Sequence, residues 1–167
     1  MSGRADGERA TTRDLAGAVV LVTGGAGGLG LALAKEAVRR GAQIMLADTA
    51  DASGVAAELR DQGATVEWMR ADMRNYGEVE TLVARIVERF GGLNVLCNNA
   101  GTGAAGGLAE VEPEAAKAVL DVNVLGYFYG IHAAAPALKA AAAAGRPAGR
   151  PTSSTLDRNI RWASRHM

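Results

Sequence analysis

The sequence predicts an α/β fold built on a doubly wound parallel sheet, truncated after about four strands and followed by an irregular C-terminal tail. Short apolar runs typical of buried strands alternate with longer segments whose apolar residues recur at helical spacing. A turn with five glycines follows the first apolar run and opens the first helical segment. Such an alternation is typical of parallel sheets with right-handed crossovers.

The predicted elements follow one another along the chain with short connections. Continuous apolar runs place strands over 18–23, 43–47 (ending at Asp48), 64–70 and 93–97. Apolar periodicity places helices over 29–40, 52–62, 76–90 and from Glu112 to about Ala144, where the pattern allows a break near Gly126. Glycines at 41, 63 and 91 end the first three helices.

Length and composition favour one globular domain with an uneven distribution of charge. The 167 residues are 49% apolar and carry no net charge, which gives no reason to expect a nucleic-acid or membrane partner. Residues 145–167 hold five arginines and one acid, whereas the remainder has 13 basic and 17 acidic residues. We therefore expect a flexible leader over 1–13, a domain over 14–144, and a basic, disordered tail over 145–167.

The single cysteine excludes an internal disulfide framework, and no metal site is predicted. No apolar segment follows Met1, so no signal peptide is expected. A cytoplasmic protein is the resulting expectation.

The glycine turn at Gly24–Gly30 is suited to binding a phosphate group. Glycines between a strand and a helix let the backbone approach a pyrophosphate, whose charge the helix N-terminus then stabilises. The nucleoside-triphosphate loop is excluded because Leu31, rather than Lys, follows Gly30. A tight turn without any ligand is the alternative.

Asp48 lies at the end of the second predicted strand, where an acid can accept hydrogen bonds from the ribose of a dinucleotide. A carboxylate at that position would repel a 2′-phosphate, so NAD is predicted in preference to NADP. The alternative is that Asp48 caps the following helix, although Asp51 is also available for that role.

At these residues the sequence resembles the short-chain dehydrogenase/reductase family. Four motifs stand in the family's order: Thr23-Gly24-x-x-x-Gly28-x-Gly30, Ala71-Asp72-Met73, Asn98-Asn99-Ala100-Gly101 and Asp121-Val122-Asn123-Val124. The resemblance implies a Rossmann-like fold and an oxidoreductase that moves hydride between NAD(H) and an alcohol or carbonyl substrate.

The resemblance also implies roles for individual residues. The implied cofactor-binding residues are Gly24, Gly28, Leu29, Gly30, Asp48, Asp72, Met73, Asn98, Asn99, Ala100 and Gly101. Asp72 is implied to contact the adenine, and the Asn98 and Asn99 amides either tie strand ends together or contact the cofactor. Asn123 is implied to support catalysis through a water, or else it is an ordinary hydrogen-bonded helix residue.

The family's catalytic Ser and Tyr-x-x-x-Lys have no counterpart in this sequence. Its tyrosines, at 76, 127 and 129, are followed four positions later by Glu80, Ile131 and Ala133. Ser153 and Ser154 lie near the expected place, but the prolines and arginines before them are poorly suited to a central strand.

We therefore expect a catalytically impaired member of the family, with a coding frame lost near residue 145 or a truncated paralogue as the explanation. The alternative is a non-catalytic dinucleotide-binding module, or a protein whose genuine basic tail binds a partner. A fourth strand without an outer neighbour would expose an apolar sheet edge, which predicts self-association.

Overall fold

The computed structural model describes residues 15–107 and 109–145. The predictions for the leader over 1–13, for most of the basic tail, and for Ser153 and Ser154 concern residues outside the described ones.

Within those ranges the chain folds into a four-stranded parallel sheet, which confirms the predicted α/β class. The strands are β1 (Val19–Thr23), β2 (Gln43–Asp48), β3 (Val66–Arg70) and β4 (Val95–Cys97), in the spatial order β3-β2-β1-β4. The helices are α1 (Gly28–Arg39), α2 (Ser53–Asp61), α3 (Tyr76–Phe90), α4 (Pro113–Leu120) and α5 (Gly126–Ala143), with a π-helical segment (Asp121–Leu125) joining the last two.

Each face of the sheet carries its own apolar core. Side chains of β1 alternate between the faces, so Val20 and Val22 pack with residues of α1 and α2, including Ala34 and Leu59. Val19 and Leu21 point to the opposite face, where α3 and α5 cover the sheet. Burial on both faces explains why the strand is a continuous apolar run rather than an alternating one.

β4 is shorter than the predicted strand over 93–97 because a side chain replaces part of the backbone ladder. The Asn94 Oδ1 atom accepts a hydrogen bond from the Val19 N–H at 2.9 Å, and the Asn94 N–H donates to the Val19 carbonyl at 2.9 Å. Regular strand geometry therefore begins at Val95.

The break near Gly126 that the sequence allows does not occur. The chain stays helical from Pro113 to Ala143, and the Gly126 N–H donates to the Asp121 carbonyl, five residues earlier. A side chain on Gly126 would place its Cβ 3.1 Å from the Met73 Cβ. The glycine therefore permits close packing of this helix against the turn after β3.

The β4 side of the molecule leaves apolar surface uncovered. Within the described residues β4 hydrogen-bonds to one strand only, β1. A row of large apolar side chains on the α4–α5 segment is exposed: Leu120, Val124, Leu125, Phe128 and Ile131. No helix in the described ranges is long and apolar enough to cross a membrane.

Candidate functional site

A cleft of about 720 Å³ lies at the carboxyl ends of the strands. This is where ligands bind in open α/β sheets. Seven of the eleven predicted cofactor-binding residues line it: Gly24, Asp48, Asp72, Met73, Asn99, Ala100 and Gly101. The structure thus brings together segments that lie as far apart in the sequence as the glycine turn and the residues after β4.

The glycine turn forms the floor at one end of the cleft and is packed too tightly for side chains. A Cβ on Gly30 would lie 2.0 Å from the Gly24 carbonyl oxygen and 2.7 Å from the Asn99 Nδ2 atom. Gly24 adopts a φ of +66°, in the left-handed region that favours glycine. Both positions therefore require glycine for the turn to close.

Hydrogen bonds from two polar side chains hold the end of β1 against the end of β4. The Thr23 Oγ1 atom accepts from the backbone N–H groups of Asn99 and Ala100, each at 3.0 Å. The Asn99 amide donates to the carbonyl oxygens of Thr23 at 2.9 Å and Gly24 at 3.2 Å. Asn99 thus ties together two strand ends, one of the two roles expected of it.

The first turn of α1 offers free binding capacity for an anion. Gly28, Leu29 and Gly30 form this turn, and neither a side-chain cap nor an acidic residue occupies it. The N–H groups of a first helical turn have no partner within the helix, and the helix dipole adds partial positive charge there. The apolar Leu29 side chain is exposed, so we expect any contact of this residue with an anion to come from its backbone N–H group.

Asp48 reaches from the end of β2 to the glycine turn. Its Oδ2 atom accepts from the Ala26 N–H at 2.9 Å, and its Oδ1 atom accepts from the Ala50 N–H at 3.0 Å. Each carboxylate oxygen has two lone pairs, so both retain capacity for a further donor such as a ribose hydroxyl.

Asp72 and Arg74 lie at the opposite end of the cleft, in the turn between β3 and α3. The guanidinium of Arg74 donates to both oxygens of the Asp72 carboxylate, with an Nη2–Oδ2 distance of 2.6 Å. This hydrogen bonding is the main reason why the pKa of Asp72 is lowered from its ordinary value. The Glu78 carboxylate accepts from the Asp72 N–H at 2.9 Å, which fixes the turn from the other side.

Asn98 and Asn123 lie outside the cleft lining, as do Gly28, Leu29 and Gly30 of the first turn of α1. The Asn98 amide donates to the Tyr127 carbonyl oxygen at 3.1 Å, while its Oδ1 atom is buried without a hydrogen-bond partner in the described part of the chain. Asn123 lies in the π-helical segment, where its side chain accepts from the Thr102 N–H and donates to the Thr102 carbonyl oxygen, each at 2.9 Å. It clamps the loop after β4, and its catalytic role remains a prediction.

Sequence reasoning missed Arg74 as a residue of the cleft lining. Its position two residues after Asp72 was the available signal, because an arginine so close to an acid in a turn pairs with it readily. Among the described residues, no cluster of three or more His, Cys, Asp or Glu side chains is arranged to hold a metal ion.

Comparison with a family model places this geometry in a known group. A model of the short chain dehydrogenase family matches residues 18–147. The chain belongs to that family. The match covers every described strand and the whole cleft lining, and it agrees with the resemblance carried by the four sequence motifs.

Individual relatives match the same region. The chain is 40% identical over 126 residues to 2,5-dichloro-2,5-cyclohexadiene-1,4-diol dehydrogenase LinX of Sphingobium indicum, covering 74% of this chain and 50% of that protein. It is 33% identical over 127 residues to D-beta-hydroxybutyrate dehydrogenase of Cupriavidus necator, covering 75% and 49%. The chain therefore spans about half the length of these curated relatives.

A solved structure shows the same architecture. A short chain dehydrogenase/reductase from Burkholderia phymatum, crystallised in complex with NAD, superimposes with a TM-score of 0.72 at 34% identity. The match covers 75% of this chain and 45% of that one.

Proposed function

We propose that this chain binds NAD(H) in the cleft at the carboxyl ends of its strands, as the cofactor-holding part of a short-chain oxidoreductase. The observation that carries the proposal is the glycine turn. Its closure leaves no room for a side chain at Gly30, and the uncapped first turn of α1 follows directly. A pyrophosphate is the group that such a turn and helix N-terminus accommodate.

The charges around the cleft favour NAD over NADP. Asp48 presents a carboxylate beside the glycine turn, where a ribose 2′-phosphate would be repelled. Of the side chains that line the cleft within the described residues, Arg74 is the one cation, and it is paired with Asp72. Arg39 and Arg40, which follow one another at the end of α1, both donate to Glu36.

The bound cofactor would supply hydride for exchange with an alcohol or carbonyl substrate. The proton on the substrate oxygen needs a separate acid or base, since a free phenol with a pKa near 10 is a poor base at neutral pH. The given sequence has no Tyr-x-x-x-Lys. We therefore propose that the chain as given binds the cofactor without turning over substrate. The cytoplasmic location expected from the sequence stays a prediction.

Titration with NADH tests this proposal. Binding should raise and blue-shift the fluorescence of the reduced nicotinamide and saturate with a Kd in the micromolar range, about −8 kcal/mol at 1 µM. NADPH should bind at least about tenfold more weakly, the equivalent of about 1.4 kcal/mol. Replacing Asp48 with Ser should reduce this preference.

A second assay distinguishes a binding module from an enzyme. The NADH-saturated chain is mixed with a panel of aldehydes and ketones, and the NAD⁺ form with the corresponding alcohols. Saturable binding without turnover supports the proposal, turnover contradicts its non-catalytic part, and a failure to bind NADH contradicts it entirely.

We also propose that the chain self-associates on its β4 side, as the sequence led us to expect. The support is that, in the part of the chain that the structure describes, β4 hydrogen-bonds to one strand, and that the apolar row on the α4–α5 segment is exposed. Light scattering over a tenfold range of protein concentration should show a mass that rises above 17.1 kDa. A constant monomer mass would contradict this second proposal and leave the first intact.

A further inference from the structure

The turn between β3 and α3 contains an ion pair that the glycine turn and Asp48 do not require. Arg74 and Asp72 both line the cleft, with side chains that are 50% and 27% exposed. Solvent-exposed ion pairs contribute little to stability. This pair is therefore a poor candidate for a purely stabilising role, and its place beside the cleft suggests a role in ligand binding.

The order of the strands indicates which part of a dinucleotide would lie against the pair. The glycine turn follows β1, Asp48 ends β2, and Asp72 follows β3, so the three groups succeed one another across adjacent strands. With the pyrophosphate at the glycine turn and the adenosine ribose at Asp48, the adenine ring reaches the end of the cleft where Asp72 and Arg74 lie.

The Asp72 carboxylate has about one acceptor position left. A carboxylate has about four lone-pair sites. The backbone N–H of Arg74 donates to Oδ1 at 2.9 Å, the Nε–H lies 3.0 Å from both oxygens, and Nη2 donates to Oδ2 at 2.6 Å. Three N–H groups from one residue therefore fix the plane of the carboxylate and leave room for one additional donor.

Arg74 is itself held in a charged environment. Its pKa is raised by hydrogen bonding to Asp72, by the charge of Asp72 and, more weakly, by the charge of Asp121 on the π-helical segment. Asp121 in turn pairs with Lys117 of α4. The guanidinium thus lies where the turn after β3 approaches the helix that covers the same end of the cleft.

Resting on the proposed NAD(H) binding, we propose that Arg74 is a positioning residue for base recognition. Its planar fork orients the Asp72 carboxylate so that the remaining acceptor position receives one hydrogen from the amino group of adenine. Lysine would retain the charge without the two-pronged geometry. Arg74 therefore contributes to selection of a base that carries an amino group, and acts on the base through Asp72.

The test compares three reduced ligands by nicotinamide fluorescence. NADH contains adenine, deamino-NADH contains hypoxanthine with a keto oxygen in place of the amino group, and reduced nicotinamide mononucleotide contains no base at this end. In the unaltered chain, NADH should bind about tenfold more tightly than deamino-NADH, as expected when a charged acceptor loses its donor.

Arg74→Ala should raise the Kd for NADH roughly fivefold to tenfold and leave the other two ligands within about twofold, so that the preference for NADH disappears. Arg74→Lys should restore only part of it. Arg85→Ala is the matched control, because Arg85 is a similarly exposed arginine on α3 that pairs with Glu88 away from the cleft. In an Asp72→Asn background, Arg74→Ala should have little further effect on NADH affinity.

The outcomes separate this inference from the proposed function. If Arg74→Ala weakens all three ligands equally, Arg74 merely supports the turn and the inference is wrong. If it changes no Kd, the inference is wrong while NAD(H) binding stands. If the unaltered chain binds none of the ligands, both fail together.

Discussion

The two flanks of the sheet differ: polar side chains are hydrogen-bonded on one, and apolar side chains are exposed on the other. On the flank from β1 to β3, the Asp48 carboxylate accepts from the Ala26 N–H, and Asn99, which follows β4, donates to the glycine turn. On the β4 flank of the described structure, large apolar side chains such as Val124 and Phe128 are more than half exposed. We expect the first flank to bind a ligand and the second to contact another protein segment.

We therefore expect cofactor binding and self-association to depend on different surfaces of the chain. The groups expected to hold a dinucleotide come from the β1–β3 flank and the loop after β4, and seven of the eleven line the cleft. Substitutions on both flanks test how far the two are independent.

Gly30→Ala should have the largest effect. The new methyl group would meet the Gly24 carbonyl at 2.0 Å, and because backbone must move to relieve the clash, we expect a loss of about 3 kcal/mol or more in stability. NADH binding should be lost with it. Urea denaturation and NADH titration measure the two effects.

Gly54→Ala is the matched control for that substitution. A Cβ at Gly54 of α2 meets nothing within 4 Å, and alanine is the better helix former by about 1 kcal/mol. The unfolding free energy of the Gly54→Ala variant should therefore rise slightly. If Gly30→Ala behaves like Gly54→Ala, the glycine turn is not the rigid element described above.

Asn99→Ala should cost about 1–3 kcal/mol in unfolding free energy, because the carbonyl groups of Thr23 and Gly24 lose their donor. NADH affinity should fall as the turn loosens. Asn123→Ala removes two hydrogen bonds of similar length to the exposed residue Thr102, where water can replace them. Its stability loss, measured in the same urea series, should be the smaller; equal losses would remove the proposed difference between the flanks.

Substitutions on the exposed apolar row should barely affect folding. Val124→Ser and Phe128→Ser alter side chains that are 57% and 58% exposed, so each should change unfolding free energy by less than about 0.5 kcal/mol and leave NADH affinity unaltered. Leu82→Ser, at a fully buried position of α3, should be strongly destabilising. Analytical ultracentrifugation of the two surface variants should show weaker self-association; unchanged association would place the contact elsewhere.

The last prediction concerns the chemical reactivity of the Cys97 thiol and involves no substitution. Burial raises the pKa of Cys97 to about 11, so at pH 8 less than about 1% is thiolate, the reactive form. A thiol reagent should therefore label the folded chain very slowly at pH 8, faster as the pH approaches 11, and rapidly in denaturant. Fast labelling of the native protein at pH 8 would show that β4 opens to solvent.

The fold and most of the cleft could be predicted because their signals are local. A strand, a glycine turn and a helix are contiguous, Asp48 ends β2, and Asp72 lies two residues after β3. The hydrogen bond from the Ala26 N–H to the Asp48 carboxylate could not be predicted, since it depends on how the glycine turn folds towards β2. From the sequence alone Arg74 is indistinguishable from an ordinary surface arginine, because its place in the cleft depends on the fold. The π-helical segment was not predicted, because one wider turn leaves the apolar pattern of the helix nearly unchanged. The glycine at 126 suggested a break in the helix instead.

The central claim is that this chain alone forms a complete site for the adenosine diphosphate ribose half of NAD. Competition between NADH and ADP-ribose tests it most directly, because ADP-ribose contains the pyrophosphate, both riboses and adenine but lacks nicotinamide. We expect ADP-ribose to displace NADH fully, with a Kd within about threefold of that for NADH, since a threefold difference is well under 1 kcal/mol. Failure of ADP-ribose to displace bound NADH would contradict the claim.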